Sequence, residues 1–354
     1  MTVRQSRTDD WLRATGDPIL EIRDASVVFG MDRGESRVLD GASIDIEHEE
    51  ILGIVGESGS GKSMFASSLL DAVVEPGRLS GNITYRPRNG DPVDVLDLSA
   101  DGLRRLRWEE ISMVFQGAMS SFNPTMDIRG HFEETIDAHG REFAAGMERA
   151  HELLSDLYLD SERVLDSYPH ELSGGMQQRA LIALSLVLEP NVLVMDEPTA
   201  ALDLLMQRSI LSLLEDLQSK YELTLVFITH DLPLVAELAD RLAVMYAFEF
   251  VEAAPAGEIL SDAAHPYTRS LLNATPNLDA PLENMAAIEG ASPDPVNVPT
   301  GCSYHPRCSL ATEKCVETDP GYFDAGEHHQ VACFHWEDAA EAIPFDIENQ
   351  GGSS

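Results

Sequence analysis

Gly56-Glu57-Ser58-Gly59-Ser60-Gly61-Lys62-Ser63 is a complete G-x-x-x-x-G-K-S phosphate loop, and its reading decides the fold of this 354-residue chain. Glycines let a backbone wrap a triphosphate so that several N–H groups face it. Lys62 is the side chain expected to reach the β- and γ-phosphates, and the Ser63 hydroxyl the one to ligate Mg²⁺. Ile51–Val55 before the loop reads as a buried strand, and Met64–Val74 after it reads as a helix. Strand, loop and helix in that order are what the motif requires.

Further motifs follow in the order a phosphoryl-transfer site needs. Asn191-Val192-Leu193-Val194-Met195-Asp196-Glu197 is an apolar run ending in two carboxylates. It reads as a central parallel strand delivering acids at its C-terminal edge. Asp196 is expected to hold Mg²⁺ and Glu197 to polarise the attacking water. Ile111–Phe115 is a second such run, ending at Gln116, and Leu223–Ile228 a third, ending in Thr229-His230-Asp231. At the end of a strand in this series, His230 reads as a γ-phosphate contact. In Leu172-Ser173-Gly174-Gly175-Met176-Gln177-Gln178 a helix is expected to open at Ser173, its N-terminus aimed at phosphate.

Together these motifs resemble the ATP-binding subunits of ABC transporters, and among them the oligopeptide/dipeptide importers, over roughly residues 18–336. The resemblance implies an α/β P-loop NTPase cassette with an antiparallel β subdomain, a helical subdomain and a small Cys-rich extension. It makes Gln116 the glutamine that senses Mg²⁺ and couples to the membrane subunits. Glu197 becomes the catalytic base, Asp203 the D-loop aspartate and His230 the switch histidine. Ser173, Gly174 and Gly175 would meet the ATP held by an opposing cassette, while Gly56 to Met64 cradle the chain's own. Phe29 matches the aromatic that stacks on adenine, though it could equally be core. Gly117-Ala118 and Phe248 depart from the family pattern without touching a catalytic group.

The peptide-importer resemblance rests on the C-terminal third, on His265-Pro266-Tyr267-Thr268-Arg269-Ser270-Leu271-Leu272 and Pro299-Thr300-Gly301-Cys302-Ser303-Tyr304-His305-Pro306-Arg307-Cys308. All four cysteines, Cys302, Cys308, Cys315 and Cys333, fall within this region. Inside a cell a structural disulfide pair is disfavoured, whereas four thiolates suit zinc or an iron–sulfur cluster. The spacing alone does not choose between them, or between either and free thiols. In the resembling importers this extension can hold a [4Fe–4S] cluster, which makes that the expected occupant, with Zn²⁺ as the alternative.

The net charge is −37, from 61 acidic and 24 basic residues, and only Lys62, Lys220 and Lys314 are lysines. Such a surface repels itself at ordinary ionic strength and is screened at molar salt, so the composition reads as a halophile's cytosolic protein. It also opposes binding to a phosphate backbone, and no nucleic-acid partner is expected. No apolar run approaches the roughly 18–20 residues that span a bilayer. The N-terminus, with Arg4, Arg7, Asp9 and Asp10, is not a signal peptide.

Transport would therefore use separate subunits. By the resemblance these are a second ATPase cassette, identical or homologous, two membrane permeases, and indirectly an extracellular substrate-binding protein. The ATPase would sit on the cytoplasmic face of the membrane. The expected organisation is a tail over 1–17 and a nucleotide-binding domain over 18–255, with its helical subdomain at about 117–172. The extension follows over 256–336, then an acidic, disordered tail over 337–354. Sugar or nickel import is the alternative within the group, and an ABC ATPase outside transport is the alternative beyond it.

Overall fold

β1 (Pro18–Met31) and β2 (Gly34–Glu47) form a hairpin, antiparallel from Pro18↔Glu47 to Met31↔Gly34. The computed structural model describes residues 11–14, 16–115, 117, 121–200, 202–274 and 288–345. Leu12, in the expected tail, is wholly buried and bridges to Ile44. Its neighbour Trp11 donates from Nε1 to Asp45 and lies under the Arg13 and Arg23 guanidinium groups. Trp11 and Leu12 thus belong to the fold, because an apolar side chain there completes the inner face of β2.

Every residue of β3 (Ile51–Val55) is buried, as its unbroken apolar sequence demands. The helix after the phosphate loop, α1 (Lys62–Ser68), stops short of the expected Val74. Asp71 there takes a left-handed backbone (φ +46°), which ends helical pairing. β4 (Arg78–Tyr85) pairs with the free edge of β1, and β5 (Val93–Asp94) pairs with β4.

Contacts group residues 1–97 with 229–354 as one unit and residues 98–228 as another. The second unit holds α2 (Ala100–Arg105), β6 (Ile111–Val114), α3 (Ile128–Ala138), α4 (Phe143–Asp156), α5 (Ser161–Leu165), α6 (Gly174–Leu186), β7 (Val192–Asp196), α7 (Leu204–Tyr221) and β8 (Thr224–Thr229). The three strands are parallel, in the order β6-β7-β8, with Met113↔Val194 and Met195↔Phe227 in register. α3 and α4 are amphipathic. Their buried residues (Ile128, Phe132 and Ile136; Met147, Ala150, Leu153 and Leu154) recur at three- and four-residue steps along one face. Asp127 and Asp160 cap α3 and α5 with their carboxylates.

The chain then runs through α8 (Leu232–Ala236), β9 (Arg241–Tyr246), β10 (Glu249–Pro255), α9 (Ala256–Asp262) and α10 (Pro266–Ala274). α9 and α10 are separate helices, because Pro266 restricts the residue before it. The cysteine-bearing segment contributes α11 (Glu313–Glu317), β11 (Phe323–Gly326), β12 (His329–Val331) and α12 (Trp336–Ala342). β12 extends the first unit's sheet by pairing with β10 (Glu252↔Val331), and β9 joins β10 to β3. The buried Glu252 carboxylate accepts from His329 Nε2 at 2.7 Å; burial works against its charge, but the hydrogen bond and charge of His329 help to outweigh that and hold it below the usual carboxylate range. The acidic tail is helical at its start. α12 leads to Ile343, whose carbonyl accepts from Arg269 Nε, and to Phe345, which stacks under that guanidinium. Among the described residues no helix is long and apolar enough to cross a membrane.

Candidate functional site

In the first unit, Gly56 leaves β3 at φ +153°, and a Cβ there would lie 2.2 Å from the Met245 carbonyl oxygen. Only glycine lets the loop turn this closely over β9. The buried Lys62 Nζ donates to the carbonyls of Gly56 (2.8 Å) and Glu57 (2.9 Å), folding the lysine back into its own loop. Ser60 is buried, whereas Ser58, Gly59 and Ser63 are exposed. Ser60 closes the loop by donating its N–H to the Glu57 carbonyl, and its own carbonyl accepts from Phe248. Gly61 caps α1, and Met64 is half-buried in its first turn.

Phe248, the departure from the family pattern, sits with Ala247 in the two-residue turn between β9 and β10. Both take positive φ (+49° and +74°), as a type I′ hairpin requires. The Phe248 carbonyl accepts from Asp40, so two backbone bonds and a buried ring hold a conformation that glycine would adopt freely. Phe29 is half-buried, its ring against the backbone of Gly77.

In the second unit, Asp196 ends β7 almost wholly buried, at 4% exposure. Glu197 follows in the left-handed region (φ +47°), with its N–H on the Ile228 carbonyl at 2.9 Å. The neighbouring strand thus pins the Glu197 backbone in a sparsely populated state. Ser173 caps α6 and is exposed. A Cβ on Gly175 would meet the Met206 methyl at 2.1 Å, so α6 and α7 touch there. Gln177 anchors the approach to Ser173 by donating to the Pro169 and Leu172 carbonyls.

Asp203 caps α7, leaving Leu204 and Leu205 exposed in its first turn. His230, directly after β8, is exposed, and Asp231 caps α8. Gln116 lies outside the described residues. The Ser63 hydroxyl and the Asp196 carboxylate are hard oxygen donors of the kind Mg²⁺ takes, so the residues present fit that ion.

Cys302, Cys308, Cys315 and Cys333 all line one cavity of about 10 Å³, with His265, Tyr304 and Phe334 among its walls. The donor chemistry matches a soft metal. Among the described residues no group of three or more His, Cys, Asp or Glu side chains is drawn together as metal ligands. Burial also pushes the Cys302 and Cys333 thiols up to about 12, toward the neutral form.

Two contacts of the phosphate loop were not legible in the sequence. Tyr267 Oη accepts from the Glu57 N–H at 2.8 Å. Arg307 forks onto the Glu57 carboxylate, Nη1 to Oε2 at 2.7 Å and Nη2 to Oε1 at 3.0 Å. Both come from the two C-terminal segments singled out above, but no spacing rule links residue 57 to residue 307.

Comparison with known proteins agrees with this geometry. The ABC transporter family profile matches residues 39–200, and the profile of the oligopeptide/dipeptide transporter C-terminal region matches residues 251–315. The chain is 40% identical over 323 residues to the dipeptide transport ATP-binding protein DppD of Caldanaerobacter subterraneus subsp. tengcongensis, covering 90% of this chain and 98% of the relative. A peptide import ATP-binding protein of Brucella abortus (strain 2308) is 40% identical over 306 residues, covering 86% and 91%. Among solved structures, the dimeric ABC transporter cassette MJ0796 superposes with a TM-score of 0.58 at 27% identity, covering 67% of this chain and 98% of that one. The same cassette is known in a post-hydrolysis state with ADP and phosphate. CbiO1 of Clostridium perfringens gives a TM-score of 0.59 at 25% identity, covering 73% and 95%. A phosphate loop, an acid-ended strand and a glycine-opened signature helix, matched along nearly the whole chain, place this protein in the ABC transporter family as an ATPase cassette with an oligopeptide/dipeptide-type C-terminal region.

Proposed function

We propose that this chain is the ATP-hydrolysing subunit of an importer for di- or oligopeptides. The observation that carries the reading is the match of residues 251–315 to the oligopeptide/dipeptide transporter C-terminal region, downstream of a complete set of ATPase motifs. At the cytoplasmic face of the membrane two cassettes close over two ATP molecules, and the cycle drives two permease subunits that an extracellular binding protein feeds. Exposed Ser173, Asp203, Leu204 and Leu205 support a second cassette, since they leave signature and D-loop open to a partner.

Within the cycle Lys62 binds the β- and γ-phosphates, His230 contacts the γ-phosphate, and Phe29 stacks on adenine. Glu197 orients water and takes its proton, and Gln116 relays the state of the site to the permeases. Ser63, Asp196 and Gln116 would hold Mg²⁺, which would neutralise charge on the phosphates. A strain lacking the gene should lose uptake of labelled dipeptide, regained with the wild-type gene but not with Glu197→Gln. Unchanged peptide uptake together with lost nickel or sugar uptake would overturn the peptide assignment.

The four cysteines are proposed as ligands of one structural metal centre, [4Fe–4S] before Zn²⁺. Their convergence on a single cavity supports this. Anaerobically purified protein should be brown and lose its visible absorption when any one cysteine becomes serine. Colourless protein with one zinc would favour the alternative, and four freely titratable thiols would defeat both.

A further inference from the structure

The phosphate loop carries a carboxylate of its own, Glu57, directly after Gly56. A fixed negative charge in a loop built to receive a triphosphate raises the electrostatic cost of binding, unless a cation cancels it at short range. Arg307 is that cation. Its side chain is 5% exposed and Glu57's 24%, so the pair is shielded from most of the screening that weakens surface bridges. All three of its guanidinium nitrogens are used. Nε donates to the Glu289 carbonyl, Nη1 to Glu57 and the Tyr246 hydroxyl, and Nη2 to Glu57 and the Ile288 carbonyl. Its protonated form is held well above the usual range by Glu57. A planar fork of this kind fixes orientation as well as charge, which a lysine would not do.

Arg307 is in turn placed by the short turn between Cys302 and Cys308. His305 N–H donates to the Cys302 carbonyl, Arg307 N–H to the Tyr304 carbonyl, and Cys308 N–H to the His305 carbonyl. Tyr246, Tyr267 and Tyr304 pack together beneath it, with ring centroids 4.5–5.4 Å apart and the Tyr304 ring edge to face with the other two. From this cluster Tyr267 Oη takes the Glu57 N–H. The loop residue is thus gripped twice, at backbone and at side chain, by the C-terminal extension.

We propose that Arg307 is a positioning residue for nucleotide binding: it turns the Glu57 carboxylate out of the phosphate loop and cancels its charge, with Tyr267 holding the Glu57 backbone. The extension therefore acts on ATP affinity through one ion pair, and a disturbance of the Cys302–Cys308 turn reaches the loop by that route. The proposal rests on residues 56–63 being the phosphate loop, and the test separates the two.

MgADP affinity of the full chain is measured by titration calorimetry, alongside thermal melts. Lys62→Ala should weaken binding strongly, and wild-type affinity in that variant would sink the phosphate-loop reading itself. Arg307→Gln should weaken MgADP binding about tenfold, or about 1.4 kcal/mol. Adding Glu57→Gln to that variant should recover most of the loss, because the stranded carboxylate is what repels the phosphates. Arg307→Lys, which keeps the charge without the fork, should fall between wild type and Arg307→Gln. It serves in place of Arg307→Gln if that variant does not fold. Arg307 variants that bind within about twofold of wild type would overturn the proposal, as would a double variant no better than Arg307→Gln.

Discussion

Glu197→Gln is expected to lower ATP turnover by about 10²–10⁴-fold, the range typical for removal of a general base. The substitution keeps side-chain shape, and the backbone at φ +47° stays pinned by the Glu197 N–H bond to Ile228, so geometry survives while the base is lost. Lys62, whose Nζ sits among the phosphate-loop carbonyls, is untouched. Nucleotide should still bind, and cassettes closed over ATP should accumulate as a dimer on size-exclusion chromatography. Turnover within about threefold of wild type, under ~0.7 kcal/mol of barrier, would remove Glu197 from the catalytic role.

The motifs that sequence reading located are the ones whose physics is local. β3, β7 and β8 fall within a residue of the apolar runs that announced them, because a strand buried on both faces must be apolar at every position. Ser173 caps its helix where serine before two glycines suggests. The readings that changed depend on partners distant in sequence. Trp11 and Leu12 look like tail residues until Ile44 and Asp45 are beside them. The short strand β12, His329–Val331, carries no pattern of its own, and β10 supplies its pairing. Arg307 reads as one more surface cation in an acidic chain, and only the fold brings it to Glu57. The cysteines mark the opposite limit: four in 32 residues signalled a shared site, and they do share a cavity, yet counting donors says nothing of the room between them.

Folding and ATPase activity are expected to need roughly molar KCl, with the melting temperature rising steadily from about 0.1 M to about 3 M. Twenty-four basic residues face 61 acidic ones, and no arrangement of ion pairs removes the net charge of −37 that results. At 0.1 M the Debye length is about 10 Å, so neighbouring surface carboxylates feel one another; at 1 M it is about 3 Å, and they largely do not.

The attractions lose less, because they act at contact. Arg23–Asp45 is 2.6 Å, Arg129–Asp166 2.7 Å and Arg307–Glu57 2.7 Å. The Arg241–Glu50 pair, 7% and 9% exposed, is hidden from salt altogether. Screening thus removes long-range repulsion faster than short-range attraction, and the compact state gains. Salt also strengthens apolar burial only where its ions are excluded from the surface, as sulfate is, so KCl and NaCl should act alike if charge is the cause. A melt in 0.1 M KCl matching one in 3 M KCl would show that the acidic surface imposes no salt requirement on this fold.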